Sequence, residues 1–303
     1  MDHLTRAFYE MKFRLDYVEK RGEAFQDWFG SIMEKCHPAD FLRIRPWGNI
    51  GDRKNDGYLR SERTLFQVYA PNEMTAAAAL MKIDEDFNGA LPYWRDYFDL
   101  WVFAHNSREG LGPDVGAKLL ALAREHTPLR VTSWGYEELR QRAFSLTEDD
   151  LASLLGRAPT TANLSRLGFE DLRVLLQHLA RSPMPIQQDL RPVPPDKMEA
   201  NSLSNNARTL LEGGMKRVDL VGRFFHRWPD PTYGDSMAEA FRREYLGAKG
   251  RGLSSDDIFQ ALHVFAGGLD RRGPDHEAAV LAVLAYFFEQ CDIFERPLAG
   301  VAV

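Results

Sequence analysis

The highest density of polar side chains in the chain lies in residues 46–57, a glycine-rich stretch that precedes a predicted strand. Asp52, Lys54 and Asp56 follow one another there at two-residue spacing, and Gln67 lies in the next predicted strand. Carboxylate and amide oxygens are the ligands that Mg²⁺ prefers, and a divalent cation can activate water for hydrolysis of a phosphodiester. A lysine beside such an ion can stabilise developing negative charge. These residue types indicate metal-dependent hydrolysis.

The same stretch also has a purely structural interpretation. Asn, Asp and Gly favour turns, so residues 51–57 could form an ordinary solvated hairpin turn. Two features favour a functional site. Gln67 is a polar residue within an otherwise apolar strand, and the stretch is flanked by helices and strands in an order that can position a site.

Hydrophobic periodicity predicts the elements around these residues. Up to residue 133 the pattern alternates between helical and β character, which indicates one α/β domain with a mixed sheet flanked by helices. The predicted helices cover residues 4–36 (as two helices), 73–94 and 115–125, and the predicted strands cover residues 41–45, 56–59, 64–70, 99–105 and 129–132.

After residue 133 the β pattern ends and only helical patterns follow. Five prolines among residues 182–195 predict an extended, semi-rigid linker. The expected organisation is therefore an α/β domain over residues 1–133, a helical connector over 134–182 and an all-α domain over 183–303.

Composition sets the broad class. The chain has 303 residues, of which 44% are hydrophobic, and a formal net charge of −6. It has two cysteines, which fit a reducing compartment and offer no metal-ligand spacing. No apolar run approaches the roughly 20 residues that a membrane-spanning helix needs. We therefore expect a cytoplasmic protein without a membrane segment.

Short motifs in the predicted α/β domain resemble a known nuclease family. The runs Gly51-Asp52, Asn55-Asp56-Gly57 and Phe66-Gln67-Val68-Tyr69, with the helical run Arg21–Gln26 upstream, resemble the core of Mrr-type PD-(D/E)xK nucleases. The resemblance implies a restriction-endonuclease-like fold that cleaves double-stranded DNA with Mg²⁺ or Mn²⁺. The metal ligands that it implies are Asp56 and Gln67, supported by Asp52, with Glu23 or Gln26 completing the set.

The sequence departs from this family at one position. Tyr69 stands where the family has its lysine. Lys54 in the turn or Lys82 on the following helix could replace that lysine, and the sequence leaves both open.

Arginines near the candidate site could contact a phosphate backbone. Against an acidic whole, a local excess of basic residues is the footprint that DNA binding needs, although exposed strands also carry arginine to protect their edges. The candidate DNA-binding residues are Arg45, Arg53, Arg60 and Arg63, with Arg43 beside them.

The second half resembles another family. Residues 196–204, the helices after them and residues 286–295 resemble the C-terminal helical domain of effectors in ABC-three-component defence systems, which include Lamassu. The resemblance implies association with an SMC-like ABC ATPase and a small third subunit, and a partner-docking role for residues 183–303.

Together these patterns predict a DNA endonuclease effector of a bacterial antiphage defence complex. We expect it to be inactive until released or assembled into a homo-oligomer, since the site lacks the lysine within the strand. The main alternative is a catalytically inactive scaffold that binds DNA or partner subunits; a stand-alone restriction enzyme is a weaker one. Of the histidines, His178, His226 and His263 are expected to be structural, and His105 could lie near the cleft.

Overall fold

The computed structural model describes residues 1–45, 52–179, 197–269, 273–290 and 293–295. The chain forms two compact units. One comprises Phe13–Leu155, and the other comprises Met1–Lys12 together with Gly156–Val303. The predicted linker over residues 182–195 lies outside the described residues.

The first unit contains a mixed sheet of five strands in sequence order. β1 pairs with β2 and β2 with β3 in antiparallel fashion, whereas β4 runs parallel to both β3 and β5. The expected mixed sheet flanked by helices is thereby confirmed. The strands are β1 (Phe41–Arg43), β2 (Gly57–Leu59), β3 (Thr64–Tyr69), β4 (Leu100–His105) and β5 (Arg130–Trp134).

Each face of this sheet is covered by a different set of helices, because successive side chains of a strand point to opposite faces. On one face, Leu65, Trp101 and Phe103 pack in one core with residues of α3 (Ala76–Trp94) and α4 (Pro113–Glu125). On the other face, the ring of Phe66 contacts the rings of Phe29, Phe41 and Trp134. Phe29 belongs to α2 (Gly22–Cys36).

Two further helices belong to this unit. Lys35, at the end of α2, forms an ion pair of 3.1 Å with Asp150, and the Cys36 thiol donates to the carbonyl of Arg142. Because these contacts tie residues 136–155 to α2, the first unit extends beyond the expected boundary at residue 133. The helices are α5 (Tyr136–Ala143) and α6 (Glu148–Leu155), and α1 (His3–Glu19) precedes α2.

Among the described residues after Leu155, all the regular elements are helices, as expected from the sequence. α14 lies at the centre of this region, and nearly every side chain from Glu277 to Phe288 is buried. The helices are α7 (Thr161–Arg166), α8 (Phe169–Leu179), α9 (Lys197–Ala200), α10 (Asn205–Met215), α11 (Val218–Arg227), α12 (Tyr233–Gly250), α13 (Ser255–Phe265) and α14 (Pro274–Glu289).

The pair Gly213-Gly214, which the pattern places at a helix end, lies inside α10 instead. A Cβ atom on Gly214 would lie 2.2 Å from the carbonyl oxygen of Leu281 on α14. The two helices therefore approach too closely for any side chain, and this packing outweighs the poor helix propensity of glycine.

None of the described helices combines the length and the apolar character that crossing a bilayer requires.

Candidate functional site

Asp56 is anchored at the start of β2 by hydrogen bonds to its neighbour β3. The backbone N–H of Asp56 donates to the carbonyl of Phe66 at 2.9 Å, and its Oδ2 accepts from the N–H of Val68 at 2.7 Å. These contacts lie on either side of Gln67 in the chain. The antiparallel register, in which Gly57 pairs with Phe66, thus brings the two predicted metal ligands to the same edge of the hairpin.

The carboxyl group of Asp56 is an unusual acid. Its pKa is raised from 3.8 to about 7, mainly by burial, and the nearby carboxylates of Asp52 and Asp86 contribute to this rise. The Val68 N–H and the Lys82 ammonium act in the opposite direction. A carboxyl group that exchanges its proton near neutral pH, at the edge of a sheet, is a candidate functional group.

Gln67 provides a buried acceptor at the same place. Its side chain is only 3% exposed, and its Oε1 has no hydrogen-bond partner among the described residues. An amide oxygen buried without a donor is costly, so its presence calls for a ligand or a role. That Gln67 lines a metal site stays a prediction.

Asp86, which the sequence analysis missed, joins the two candidate lysines. Its side chain is fully buried in α3, and its Oδ1 lies 2.9 Å from Lys82 Nζ and 3.3 Å from Lys54 Nζ. Its Oδ2 has no hydrogen-bond partner among the described residues. Burial raises the pKa of Asp86, while hydrogen bonds and charge from the two lysines lower it. The only signal in the sequence is the four-residue spacing of Lys82 and Asp86, which places them on one face of a helix.

Both lysines therefore lie at the site and share Asp86 as a partner. The positive charge of Lys82 also lowers the pKa of Asp56. Lys54 additionally pairs with Glu85, and this hydrogen bond raises the pKa of Lys54.

The turn that carries Lys54 is held against α3. Arg53 and Lys54 both have positive φ angles, of 52° and 61°, which non-glycine residues rarely adopt. Trp94 Nε1 donates to the carbonyl of Arg53, and the Arg53 guanidinium lies 4.5 Å from the centre of the Tyr93 ring. The strained turn is thus stabilised by the end of α3, which keeps Lys54 near Asp86.

Of the other predicted acidic and amide groups, two lie at the site and one does not. Gln26 on α2 donates to Asp56 Oδ1 at 3.2 Å. Asp52 Oδ1 accepts from the N–H of Lys54 at 2.9 Å, and its charge acts on Asp56. Glu23 is 83% exposed and its nearest cation is Arg45, at 4.0 Å. Among the described residues, no hydrogen bond joins the exposed side chain of Glu23 to Asp56.

The candidate DNA-binding arginines do not form one free basic patch. Arg60 and Arg63 lie in the turn at the opposite end of the β2–β3 hairpin from Asp56, and Arg63 pairs with Asp99 at 2.8 Å. Arg45 pairs with Asp27. Arg53 is the one of the four predicted arginines that lies in the same turn as Lys54. Arg43 is occupied by Glu34 and Asp27.

His105 ends β4 in a buried position beside Tyr69 in the strand register. Burial lowers its pKa to about 4, and its Nδ1 accepts from the N–H of Ser107 at 3.1 Å. It is therefore a neutral imidazole at pH 7. No hydrogen bond connects it to Asp56 or Gln67 among the described residues.

The donor set fits a small divalent cation with few protein ligands. Within the described ranges, no three side chains among His, Cys, Asp and Glu are grouped as a metal site. Mg²⁺, however, is often bound through one or two carboxylates and keeps several waters. Asp56 and the unpartnered Oε1 of Gln67 would provide two hard oxygens at one hairpin edge, and a cation there would displace the proton of Asp56.

The two sequence segments that characterise the helical half meet in space. Lys197 is buried, and its ammonium donates to the carbonyls of Phe288 and Ile293 at 2.7 and 2.6 Å. The side-chain amide of Asn201 binds the backbone of Glu295: its Nδ2 donates to the Glu295 carbonyl, and its Oδ1 accepts from the Glu295 N–H. The first residues of this region thereby hold its last described ones.

Two of the three histidines predicted to be structural can be placed in the helical unit. His263 is fully buried and lies 3.2 Å from Glu277, whereas His226 is exposed on α11. The side chain of His178 lies outside the described residues.

Comparisons with known proteins give one match. Residues 170–295 match the family model of C-terminal domain 10 of the ABC-three component (ABC-3C) systems. No curated protein and no solved structure matches the chain. Residues 170–295 are therefore similar to a C-terminal domain of the ABC-three-component systems.

Proposed function

We propose that this chain is the effector of an ABC-three-component antiphage defence system, because residues 170–295 match a C-terminal domain of such systems, and that its first unit is a metal-dependent DNA endonuclease. The observation that carries the proposal is the position of Asp56. Its carboxyl group, with a pKa of about 7, lies across the hairpin from the buried, unpartnered Gln67 and within electrostatic range of Lys82, Asp52 and Asp86.

Asp56 and Gln67 would hold a Mg²⁺ or Mn²⁺ ion, and the ion would neutralise phosphate charge and activate water. Gln26 orients Asp56 through its hydrogen bond to Oδ1. Lys82 and Lys54 would stabilise negative charge on the phosphate. Arg53, in the same turn as Lys54, would contact the DNA backbone.

The contacts of Asp86 explain why we expect the isolated chain to lack nuclease activity. Both ammonium groups bind its Oδ1, so neither lysine is free to meet a phosphate while these contacts last. We infer that assembly with the SMC-like ATPase and the small third subunit, or association of several copies, changes these contacts and makes the site competent.

A non-catalytic scaffold is the second candidate, and two observations favour it. No three metal-ligating side chains cluster in the described part of the chain, and the nearby basic residues are largely paired with acids. In that case the α/β unit would bind DNA or a partner subunit without cleaving it.

One experiment separates the two functions. The purified full chain is incubated with supercoiled and linear DNA in Mg²⁺ or Mn²⁺, alone and with the other subunits of its system. Cleavage that disappears in Asp56→Asn, and persists in the control Asp84→Asn, supports the nuclease. Asp84 is a suitable control because it lies on α3 in an exposed ion pair with Lys118.

Metal binding gives a readout that does not depend on cleavage. Mn²⁺ should raise the melting temperature of the wild-type chain and of Asp84→Asn, but not that of Asp56→Asn or Gln67→Leu. If no divalent cation binds and no DNA is cut under any combination of subunits, the scaffold function is correct.

A substitution at Gly89 should displace the side chain of Lys54 without removing its charge. A Cβ atom on Gly89 of α3 would lie 2.8 Å from Cγ of Lys54. Gly89→Ala should therefore displace the Lys54 side chain from Asp86, whereas Gly116→Ala on α4, where a Cβ meets nothing within 4 Å, serves as control. A change in cleavage by the isolated chain in Gly89→Ala alone would support the restraining role of Asp86.

A further inference from the structure

The surface of the helical unit carries a groove formed by α11, α12 and α14. One end is a cavity of about 560 Å³ between the end of α11, the start of α12 and α14. Aromatic and proline side chains form much of its wall, together with two glycines, and His226 and Asp235 contribute polar groups. The principal lining residues are Phe225, Trp228, Pro229, Pro231, Tyr286 and Phe287.

A second cavity of about 370 Å³ adjoins the first, and Gly222 and Tyr286 line both. Asp219, Arg223 and Glu289 add charge to this second cavity. The two cavities therefore form one groove with an aromatic end and a charged end. We call it the α11–α14 groove.

The charged end favours a cation. Burial raises the pKa of the half-buried Glu289, and the carboxylate of Asp219 raises it further. Arg223 lines the same cavity, so this end carries two acidic side chains and one basic side chain. Within the described ranges, neither acid takes part in an ion pair. A positively charged side chain placed between them would relieve their mutual repulsion.

The aromatic end favours an apolar side chain on a surface segment. Phe225 packs at 5.4 Å from the Tyr286 ring, and Trp228 stacks on Tyr233 at 4.9 Å, so this wall is preorganised. His226, Pro229 and Pro231 leave the groove open to solvent. An open, rigid aromatic wall suits an anchor residue of another protein better than an enclosed small molecule.

We infer that the α11–α14 groove binds a segment of a partner subunit that presents an aromatic or proline anchor to Trp228 and Tyr286 and a lysine or arginine to Asp219 and Glu289. This inference rests on the proposed docking role of the helical domain, and all the lining residues fall within the matched residues 170–295. It names the surface and the chemistry of the segment that would occupy it.

The geometry of Gly222 allows the groove to be filled without disturbing the fold. Gly222 lies within α11, and a Cβ atom there would meet only Cε2 of Tyr286, at 3.5 Å. Gly222→Leu should therefore occupy the centre of the groove. Gly247→Leu is the matched control, because Gly247 also lies within a helix of this unit, and a Cβ there meets only Arg251 Nη1, at 3.7 Å.

Charge reversal tests the other end. Asp219→Lys combined with Glu289→Lys should weaken binding of the partner subunits, and Glu212→Lys, at an exposed position on α10, provides the control. The binding of the full chain to the other purified subunits of its system is measured by titration at low and high salt. We expect at least a tenfold loss for Gly222→Leu and for the double reversal, and less than a twofold change for the controls. Wild-type affinity should fall as salt rises.

Three results would overturn the inference while leaving the docking role intact. The first is wild-type affinity of Gly222→Leu for the subunits, and the second is a loss of affinity in the control variants as large as in Gly222→Leu. The third is a wild-type affinity that does not change with salt. If Gly222→Leu instead converts a dimer of this chain to a monomer with subunit binding unchanged, the groove holds a second copy and the inference is wrong. Failure of the wild-type chain to bind any subunit would contradict the docking role itself. DNA cleavage is assayed separately, so each failure is distinguishable.

Discussion

The N–H of Val68 donates to Oδ2 of Asp56 at 2.7 Å, and this bond ties a protonatable carboxyl group to the strand that carries Gln67. A hydrogen bond from an N–H group stabilises the charged form of a carboxylate. Burial nevertheless outweighs it, because the pKa of Asp56 rises to about 7. The site therefore holds a proton that a cation could replace.

Stability should depend on pH through Asp56. In the unfolded chain this group titrates near its ordinary value of 3.8, whereas the folded chain retains the proton up to about pH 7. The folded state binds more protons over this interval, so the free energy of unfolding should fall as pH rises from about 4 to 7. Asp56→Asn removes this penalty and should stabilise the chain at pH 8 by roughly 1–4 kcal/mol.

Chemical denaturation of the two proteins at pH 5 and pH 8 measures this effect. The advantage of Asp56→Asn should be smaller at pH 5, and Asp84→Asn should show no comparable pH dependence. An equal difference between Asp56→Asn and wild type at both pH values would contradict the raised pKa.

The two lysines around Asp86 should act non-additively on stability. Lys54 and Lys82 are about one third exposed, but the carboxylate between them is fully buried. Either Lys54→Met or Lys82→Met leaves one cation beside Asp86 and should cost about 1 kcal/mol. The double variant leaves a buried, unpaired charge and should cost roughly 3–5 kcal/mol.

Adding Asp86→Asn to the double variant should restore most of the lost stability, because the buried charge is then gone. Lys118→Met is the control: it breaks an exposed pair with Asp84 and should cost less than about 1 kcal/mol. Chemical denaturation of these variants measures their free energies of unfolding. If the loss in the double lysine variant equals the sum of the two single losses, the lysines do not share Asp86 as a partner.

The close approach of α10 and α14 predicts a large effect of a small substitution. Gly214→Ala forces a methyl group against the carbonyl oxygen of Leu281 and should destabilise the helical unit by about 2 kcal/mol or more. Gly247→Ala, on open helix surface, should instead stabilise by about 0.5–1 kcal/mol, since alanine is the better helix former. Thermal unfolding of the full chain followed by circular dichroism measures both, and a stabilised Gly214→Ala would refute the packing.

The buried side chain of Lys197 should contribute strongly to the stability of the helical unit, whereas most lysines are exposed and contribute little. Lys197→Met removes the donor to the carbonyls of Phe288 and Ile293 and should cost about 2–4 kcal/mol. Lys249→Met breaks an exposed pair with Glu295 and should cost less than about 1 kcal/mol. Hydrogen exchange at the end of α14 would locate the loss, and unchanged protection there in Lys197→Met would contradict this role.

Strand and helix positions were predictable because their signals are local. The five strands follow from short apolar runs punctuated by Gly and Pro, and the helices from 3.6-residue periodicity. The short helices α7 and α9 could not be located from periodicity, since six and four residues are too few to establish a period. The mixed sheet followed from the order of the elements, whereas the extent of the first unit depended on contacts of α2 with α5 and α6.

The candidate site could be predicted only where the hairpin register determines it. Asp56, Gln67 and Lys54 lie in or beside one hairpin, so their proximity follows from sequence spacing. Asp86 was missed because its burial between two lysines depends on how α3 packs on the sheet. Glu23 and Gln26 were left as alternatives, and Gln26 is the one that donates to Asp56, because the direction of a side chain on α2 is set by the same packing. The pairing of Arg63 with Asp99, 36 residues away, was equally invisible.

The link between Lys197 and the carbonyls of Phe288 and Ile293 also has a consequence for synthesis. Domains generally fold as units during translation, once all their parts have emerged from the ribosome. Here the ammonium of Lys197 finds its acceptors only after residue 293 has been made. The helical domain should therefore mature last, so that the α/β unit is folded in each nascent chain before docking is possible.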